Sequence, residues 1–385
     1  MVRYPDQVSR RLAAAVREPL DRDAVGELIS REVASSVPHE AMNLVGLNPC
    51  TGTISFGFWH RYPPDLARAV MLNCYWGDDP MRPVDLARQR VPIAMACAAP
   101  ECVPEGSSIV PTAAVRTRGI LREHGAGCEL RLLLRDRRYT WGVLCLFRES
   151  GRRPFAAQDA DRLMALAPAL IAGLRSYVQA GRSLPAKPPP RPGVILVGAD
   201  HTVRGITAEA REWLGELRAA GVSEWLSSPD WSAVALASEG GSAVSARPRE
   251  RPVVCVPATH AGRWVALHAQ SLGPYGTEPR RERSGPRGRG AEPMPKQAPG
   301  SGDGTAVVVQ AATGGLLMPA FAAWYGLTPR ERQVVEHFAQ ARTCRQVAAE
   351  LGISPFTVND YLKTIFRKTR VRGRDELMAL LNHSL

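Results

Sequence analysis

The chain has no run of eighteen apolar residues, so no membrane-spanning helix is expected. Its opening, Met1-Val2-Arg3-Tyr4-Pro5-Asp6, leads into charged sequence with no apolar core segment, so no secretory leader is expected. None of the eight cysteines forms a Cys-x-x-Cys pair, and no two histidines have zinc-finger spacing. The closest thiols, Cys97 and Cys102, lie in a Pro/Ala-rich stretch. Reduced, mostly buried thiols in a reducing compartment are the ordinary reading, and a redox- or metal-sensing pair is the alternative. A nucleophile elbow, a phosphate loop and a dinucleotide fingerprint are also missing, so no enzyme and no cofactor are expected. Acidic residues are the scarcer charge, 37 against 49 Lys and Arg, and the formal net charge of +12 favours an anionic partner.

At 385 residues the chain is long enough for two or three domains. Two stretches divide it. Ser183 to Pro192 (SLPAKPPPRP) is a Pro-rich, semi-rigid connector. Residues 273–304 are Gly, Pro and Arg with almost nothing apolar, too little to bury a core, and read as a solvated linker.

The unit before the connector, residues 1–182, begins with apolar positions at helical spacing over residues 6–36. A hairpin is predicted from Ala41 to Phe58, a helix from Pro64 to about Asn73, and a Pro-rich loop from Gly77 to Val110. Strands follow at 128–134 and 139–147, and a long helix starts near Phe155, its seam of Leu163, Leu166, Leu170 and Leu174 serving either its own sheet or a dimer contact. Residues 193–272 read as strand, turn, strand, helix, then two later strands. Their tryptophans (Trp213, Trp225, Trp231 and Trp264) suit a small pocket or, more simply, a small core. Residues 305–326 read as one further strand and a lead-in helix.

The last segment, 327–385, is marked at every helix boundary. Thr328-Pro329-Arg330-Glu331 and Thr343-Cys344-Arg345-Gln346 have the form of capping boxes, and Ser354-Pro355 opens a third helix. Gly352-Ile353-Ser354 is the tight turn of a helix-turn-helix. If Val358, Leu362 and Ile365 face inward, then Phe356, Asn359, Asp360, Lys363 and Arg367 share the outer face.

These residues, with Val347-Ala348, Leu351, Thr357-Val358, Ile365-Phe366-Arg367-Lys368, Val371, Arg374, Glu376 and Leu377, resemble the LuxR-type helix-turn-helix of the GerE, FixJ and NarL effector domains. That resemblance implies an all-α, four-helix, DNA-binding domain of a transcriptional regulator. Asn359, Asp360 and Lys363 would face base edges, while Thr357, Arg367, Lys368 and Arg372 would hold phosphates. Leu377 and Leu381 would lie at a dimer contact and be partly exposed in a monomer. Implied partners are double-stranded DNA, a second copy of the chain and RNA polymerase, in the cytoplasm and off the membrane. Two departures stand out. Asp360 brings a negative charge to the reading face, and Gly373 replaces the usual cap of the fourth helix.

Upstream, Trp141-Gly142-Val143-Leu144-Cys145-Leu146-Phe147, Pro154-Phe155 and Asp159 resemble a GAF domain, which implies an α+β sensor. The start of 193–272 resembles a PAS domain. Arg61-Tyr62-Pro63-Pro64-Asp65 with Tyr75-Trp76-Gly77-Asp78-Asp79-Pro80 resembles acyl-homoserine-lactone receptors. That likeness implies a small-molecule pocket walled by Trp59, Tyr62 and Trp76 and anchored by Asp79. The same residues also suit a small aromatic core with Asp79 capping a turn. A receiver-type phosphorylation switch is a third alternative and needs βα repeats with an Asp at a strand end.

Overall fold

A computed structural model describes residues 22–76, 79–99, 115–180, 188–198, 202–219, 253–272 and 304–381. The helix expected over the first twenty residues, the linker, Cys102, Trp225, Trp231 and most of the Pro-rich connector lie outside the described residues.

The front unit runs α1 (Arg22–Ala34), β1 (Ala41–Leu47), β2 (Ile54–His60), α2 (Pro64–Trp76), α3 (Pro83–Arg88), β3 (Ile93–Cys97), α4 (Val115–Glu123), β4 (Ala126–Arg135), β5 (Thr140–Glu149) and α5 (Ala157–Ala180). Its strands form one antiparallel sheet in the order β2-β1-β5-β4-β3. Alternation along β4 assigns the faces, because successive side chains of a strand point to opposite sides. Cys128, Leu130, Leu132 and Leu134 join the core with α1 and α5, whereas Leu133 joins the core with α2, α3 and α4. The leucine seam of α5, continued by Tyr177 and Val178, is packed on its own sheet. By length and composition α5 could cross a membrane; its apolar side is instead part of this core.

The Pro-rich stretch expected to be a loop contains α3 and β3. Pro83 sits at the first turn of α3, where its missing N–H costs no helical hydrogen bond. β3 pairs with β4 along Ile93–Cys97 and is buried at every position.

The middle unit adds β6 (Gly193–Val197), β7 (Val203–Ile206), α6 (Ala208–Ala219), β8 (Val253–Val256), α7 (Ala258–Ala261) and β9 (Val265–Leu272). Its sheet is completed by β10 (Gly304–Ala311), giving the antiparallel order β7-β6-β10-β9-β8. The strand expected over 305–310 therefore belongs to the centre of this sheet, hydrogen-bonded on both edges. Trp213 is fully buried in the core, its indole N–H donating to the Arg191 carbonyl at 3.0 Å, and Trp264 is buried as well, so both serve packing. Both sheets are antiparallel throughout, which is incompatible with a doubly wound receiver domain among the described residues.

From β10 the chain enters α8 (Gly314–Tyr325), then α9 (Pro329–Ala339), α10 (Cys344–Leu351), α11 (Pro355–Thr369) and α12 (Arg374–Leu381). α8 is apolar nearly all round, with Leu317, Met318 and every residue from Ala320 to Tyr325 buried. A helix without a polar face must be covered on all sides. The Trp324 ring packs at a tilt against Trp141 (5.1 Å between centroids) and Phe56 (5.9 Å) of the front sheet. Its carbonyl accepts from Gln179 Nε2 at 2.9 Å, on α5. Cys50 Sγ donates to the Pro319 carbonyl at 3.3 Å, and Asn48, Thr51 and Thr53 all donate to the Val253 carbonyl of the middle sheet. Gly326 ends α8 in the left-handed region (φ 68°), a conformation that costs glycine nothing; a Cβ there would come within 2.8 Å of Arg175 Nη2.

Candidate nucleic-acid interface

The C-terminal helices are closed at their ends as their sequence dictates. Thr328 and Glu331 make a complete capping box, as do Thr343 and Gln346. Ser354 Oγ accepts from the Thr357 amide at 3.0 Å, with Pro355 at the first helical position of α11. Gly352, at φ 65° and ψ 38°, supplies the left-handed residue that ends α10 and turns the chain into α11. Val334, Val335, Phe338, Val347, Ala348, Val358, Leu362 and Ile365 form the core beneath.

With Val358, Leu362 and Ile365 buried, the opposite face of α11 is solvent-facing. Asn359, Asp360, Lys363 and Arg367 are all exposed, and Phe356 is 73% exposed at the first turn. Lys363 Nζ lies 3.1 Å from Asp360 Oδ1 and 6.0 Å from the Phe356 ring centroid. An exposed pair one helical turn apart is weak, so Lys363 is available to a competing acceptor. Asn359 Oδ1 lies 3.7 Å from Cys344 Sγ, a weak contact across the turn. Thr357 is half-buried, its hydroxyl 2.9 Å from Ser354 Oγ, and Arg372 is exposed just beyond the helix. A face presenting an amide, an ammonium and a guanidinium on one helix suits base edges and phosphates together.

Three of the residues expected at contacts are placed differently. Lys368 donates to Glu331 Oε2 at 2.6 Å and to the Gly326 carbonyl at 3.0 Å, so its ammonium ties the end of α11 to the start of α9. In this structure that ammonium serves as a structural tie. Leu377 and Leu381, expected partly exposed at a dimer contact, are 0% and 3% exposed. The two-turn helix α12 uses its apolar side to close the domain's own core.

Burial alone would raise the Glu331 carboxyl, but the Lys368 ammonium and the Thr328 amide more than offset that and hold it below the ordinary value of 4.5. A lowered folded value contributes stability that is complete above 4.5 and is lost as pH falls through the folded value. Glu331→Gln is therefore expected to remove part of the acid-side loss of stability, read from urea unfolding between about pH 7 and pH 3.

In the front unit, Tyr62 and Asp79 of the proposed pocket are both buried. Tyr62 is buried and stacks on Phe147 at 5.0 Å. Trp59 is half-buried on β2, and Trp76 is the last residue of α2, its side chain outside the described set. Asp79 is buried, but its carboxylate is already engaged, Oδ1 by the Met81 amide at 2.9 Å and Oδ2 by Arg131 Nη1 at 2.6 Å. It is not a vacant anchor. Arg131 Nε also binds Glu129 Oε1 at 2.8 Å. Burial works against the Arg131 charge, and the two carboxylates more than compensate and keep it firmly protonated. Burial pushes the Cys145 thiol up, with Glu129 beside it adding to the effect. This buried Asp79–Arg131–Glu129 group had no counterpart in the sequence reading; opposite charges at alternate positions of an otherwise apolar strand were the available signal. Cys97 faces Cys128 across the β3–β4 pair; both thiols are buried, neither is in a disulfide, and their hydrogen bond lowers the Cys128 thiol from its ordinary value.

Comparison with known proteins places the C-terminal helices. Residues 326–381 match the bacterial regulatory proteins of the luxR family (GerE). Over 55 residues the chain is 38% identical to the spore germination protein GerE of Bacillus subtilis (strain 168), covering 14% of this chain and 74% of GerE. Over 51 residues it is 45% identical to the transcriptional regulatory protein UhpA of Escherichia coli (strain K12), covering 13% of this chain. The chain spans about a quarter of UhpA, 26% of its length. Among solved structures, it is similar to the phycoerythrobilin-bound GAF domain of a cyanobacterial phytochrome (14% identity, TM-score 0.31, covering 46% of this chain and 97% of that one). The Stigmatella aurantiaca phytochrome photosensory core module is also similar (12% identity, TM-score 0.26, covering 57% and 52%). Through its C-terminal helix-turn-helix domain, the chain belongs to the luxR family of bacterial regulatory proteins.

Proposed function

We propose that the protein is a sequence-specific, DNA-binding transcriptional regulator whose front half receives a signal and controls DNA binding. The observation that carries this reading is the solvent-facing side of α11. Asn359, Asp360 and Lys363 are spaced to meet base edges in a major groove, with Thr357, Arg367 and Arg372 around them for phosphates. Asn offers a bidentate match to adenine, Lys a donor to guanine, and Asp an acceptor for the cytosine amino group. Asp360 also repels phosphate, so it favours discrimination over nonspecific affinity.

The regulatory half of the reading is supported by α8. This helix is shared between the front sheet, α5 and the first helix of the DNA-binding domain, and only Gly326, Leu327 and Thr328 separate it from α9. A change in the front core would therefore reach the DNA-binding domain through packed side chains. Binding as a homodimer, contact with RNA polymerase and a cytoplasmic location belong to the same proposal. Any dimer contact must use residues other than the inward-facing Leu377 and Leu381.

Lys363→Ala is expected to weaken binding to the selected site by about 1–3 kcal/mol and to relax preference at one base pair. Fluorescence anisotropy over a salt series checks this. A loss that is equal on all sequences, with the salt slope reduced by about one, would reassign Lys363 to phosphate.

A further inference from the structure

Phe356 takes no part in the hydrogen-bonding roles given to α11. It is 73% exposed, and no other large apolar side chain is exposed among the described residues of α8 to α12. One exposed apolar residue needs no explanation by itself, but the position of this one gives it a meaning. Each helical residue is turned by about 100° from the last, so Phe356 lies roughly opposite Ile365, which is fully buried on the inner face. Asn359, Asp360, Lys363 and Arg367 fall within about 60° of Phe356 on either side. The ring therefore sits in the middle of the exposed face and not on its rim, with Lys363 Nζ 6.0 Å from its centroid.

The backbone beneath the ring is fixed. Ser354 Oγ accepts from the Thr357 amide at 3.0 Å and Pro355 holds the first helical position, which sets the first turn of α11 before any partner arrives. In helix-turn-helix domains the N-terminal residues of the second helix meet base edges in the major groove. Those edges offer hydrogen-bond donors and acceptors and one apolar group, the C5-methyl of thymine. A phenyl ring laid over any other edge would desolvate a polar group and return no hydrogen bond. Thymine alone gives it an apolar partner.

We propose that Phe356 is a specificity-determining residue that packs on the C5-methyl group of a thymine and so fixes a T at one position of the bound site. The inference rests on the assignment of α11 as the DNA-reading helix and adds to it a base recognised without a hydrogen bond. Phe356 and Lys363 are two turns apart on one face, about 10 Å along the helix axis. With base pairs stacked about 3.4 Å apart, the thymine lies roughly three base pairs from the pair that Lys363 meets.

The test uses the full-length protein and the motif it enriches from a randomised duplex library. Each thymine of that motif is replaced in turn by deoxyuridine, which pairs identically and lacks only the methyl group, and binding is followed by fluorescence anisotropy. For the wild type, loss of one methyl is expected to weaken binding by about fourfold at the position Phe356 meets. Phe356→Ala should bind the original duplex about fourfold or more weakly and no longer distinguish thymine from deoxyuridine at that position. Because the side chain is exposed, this variant is expected to keep its fold, which circular dichroism checks. The proposal is overturned if no thymine responds to deoxyuridine, if Phe356→Ala keeps the wild-type response, or if it weakens binding equally on all duplexes. An enriched motif that is blind to deoxyuridine overturns this assignment alone. Failure to enrich any motif overturns the DNA-reading assignment of α11 and this one with it.

Discussion

Replacing Arg131 by leucine is expected to destabilise the protein by about 3–5 kcal/mol. The guanidinium is 3% exposed and bridges two buried carboxylates, Asp79 at 2.6 Å and Glu129 at 2.8 Å. Without it, both carboxylates stay buried with no cation, and the loss is chiefly the cost of leaving them unpaired. Removing those charges as well should therefore return stability. Arg131→Leu combined with Asp79→Asn and Glu129→Gln is expected to be more stable than Arg131→Leu alone, which no account based on lost volume would give. Urea unfolding of the single and triple variants measures both. A cost under about 1 kcal/mol for Arg131→Leu would show that the cluster is open to solvent.

Trp324→Ala is expected to cost about 3–5 kcal/mol and to loosen the control exerted on the DNA-binding domain. Trp324 is 1% exposed, packed between Trp141 and Phe56 of the front sheet, and its helix leads within three residues into α9. Truncation to alanine leaves a cavity where the units join, while the α9–α12 core keeps every one of its own contacts. The two losses should separate in practice. Unfolding of the front unit moves to lower urea, whereas the exposed face of α11 still binds DNA. Parallel tryptophan fluorescence and DNA anisotropy across a urea series would show this separation. Coincident loss of both signals at the wild-type midpoint would contradict the role given to α8.

Legibility in the sequence followed local chemistry. The capping boxes at Thr328 and Thr343, the Ser354-Pro355 start and Gly352 are local signals, and they placed the C-terminal helices to within a residue or two. α3, β3 and α4 were harder to read. The five residues of β3 are all buried and do not alternate, so neither period appears, and prolines on both sides suggested a loop. α4 buries only Thr117 and Leu121, too few for an apolar stripe. Of the expected contact residues, the exposed face of α11 follows from helical geometry alone. Lys368, Leu377 and Leu381 could not be placed that way, because their partners are fixed by tertiary packing. Lys368 meets a carboxylate 37 residues earlier in the chain. Asp79 likewise found Arg131 across the fold, a pairing no local pattern encodes.

The central claim is that the solvent-facing side of α11 reads DNA. Its most direct test is selection from a randomised duplex library with the full-length protein, followed by anisotropy on the enriched sequence. Wild-type protein is expected to enrich a defined motif. The Asn359→Ala, Lys363→Ala double variant should bind that motif more weakly by about 2–6 kcal/mol while keeping its fold by circular dichroism. A double variant that enriches the same motif with unchanged affinity would contradict the account.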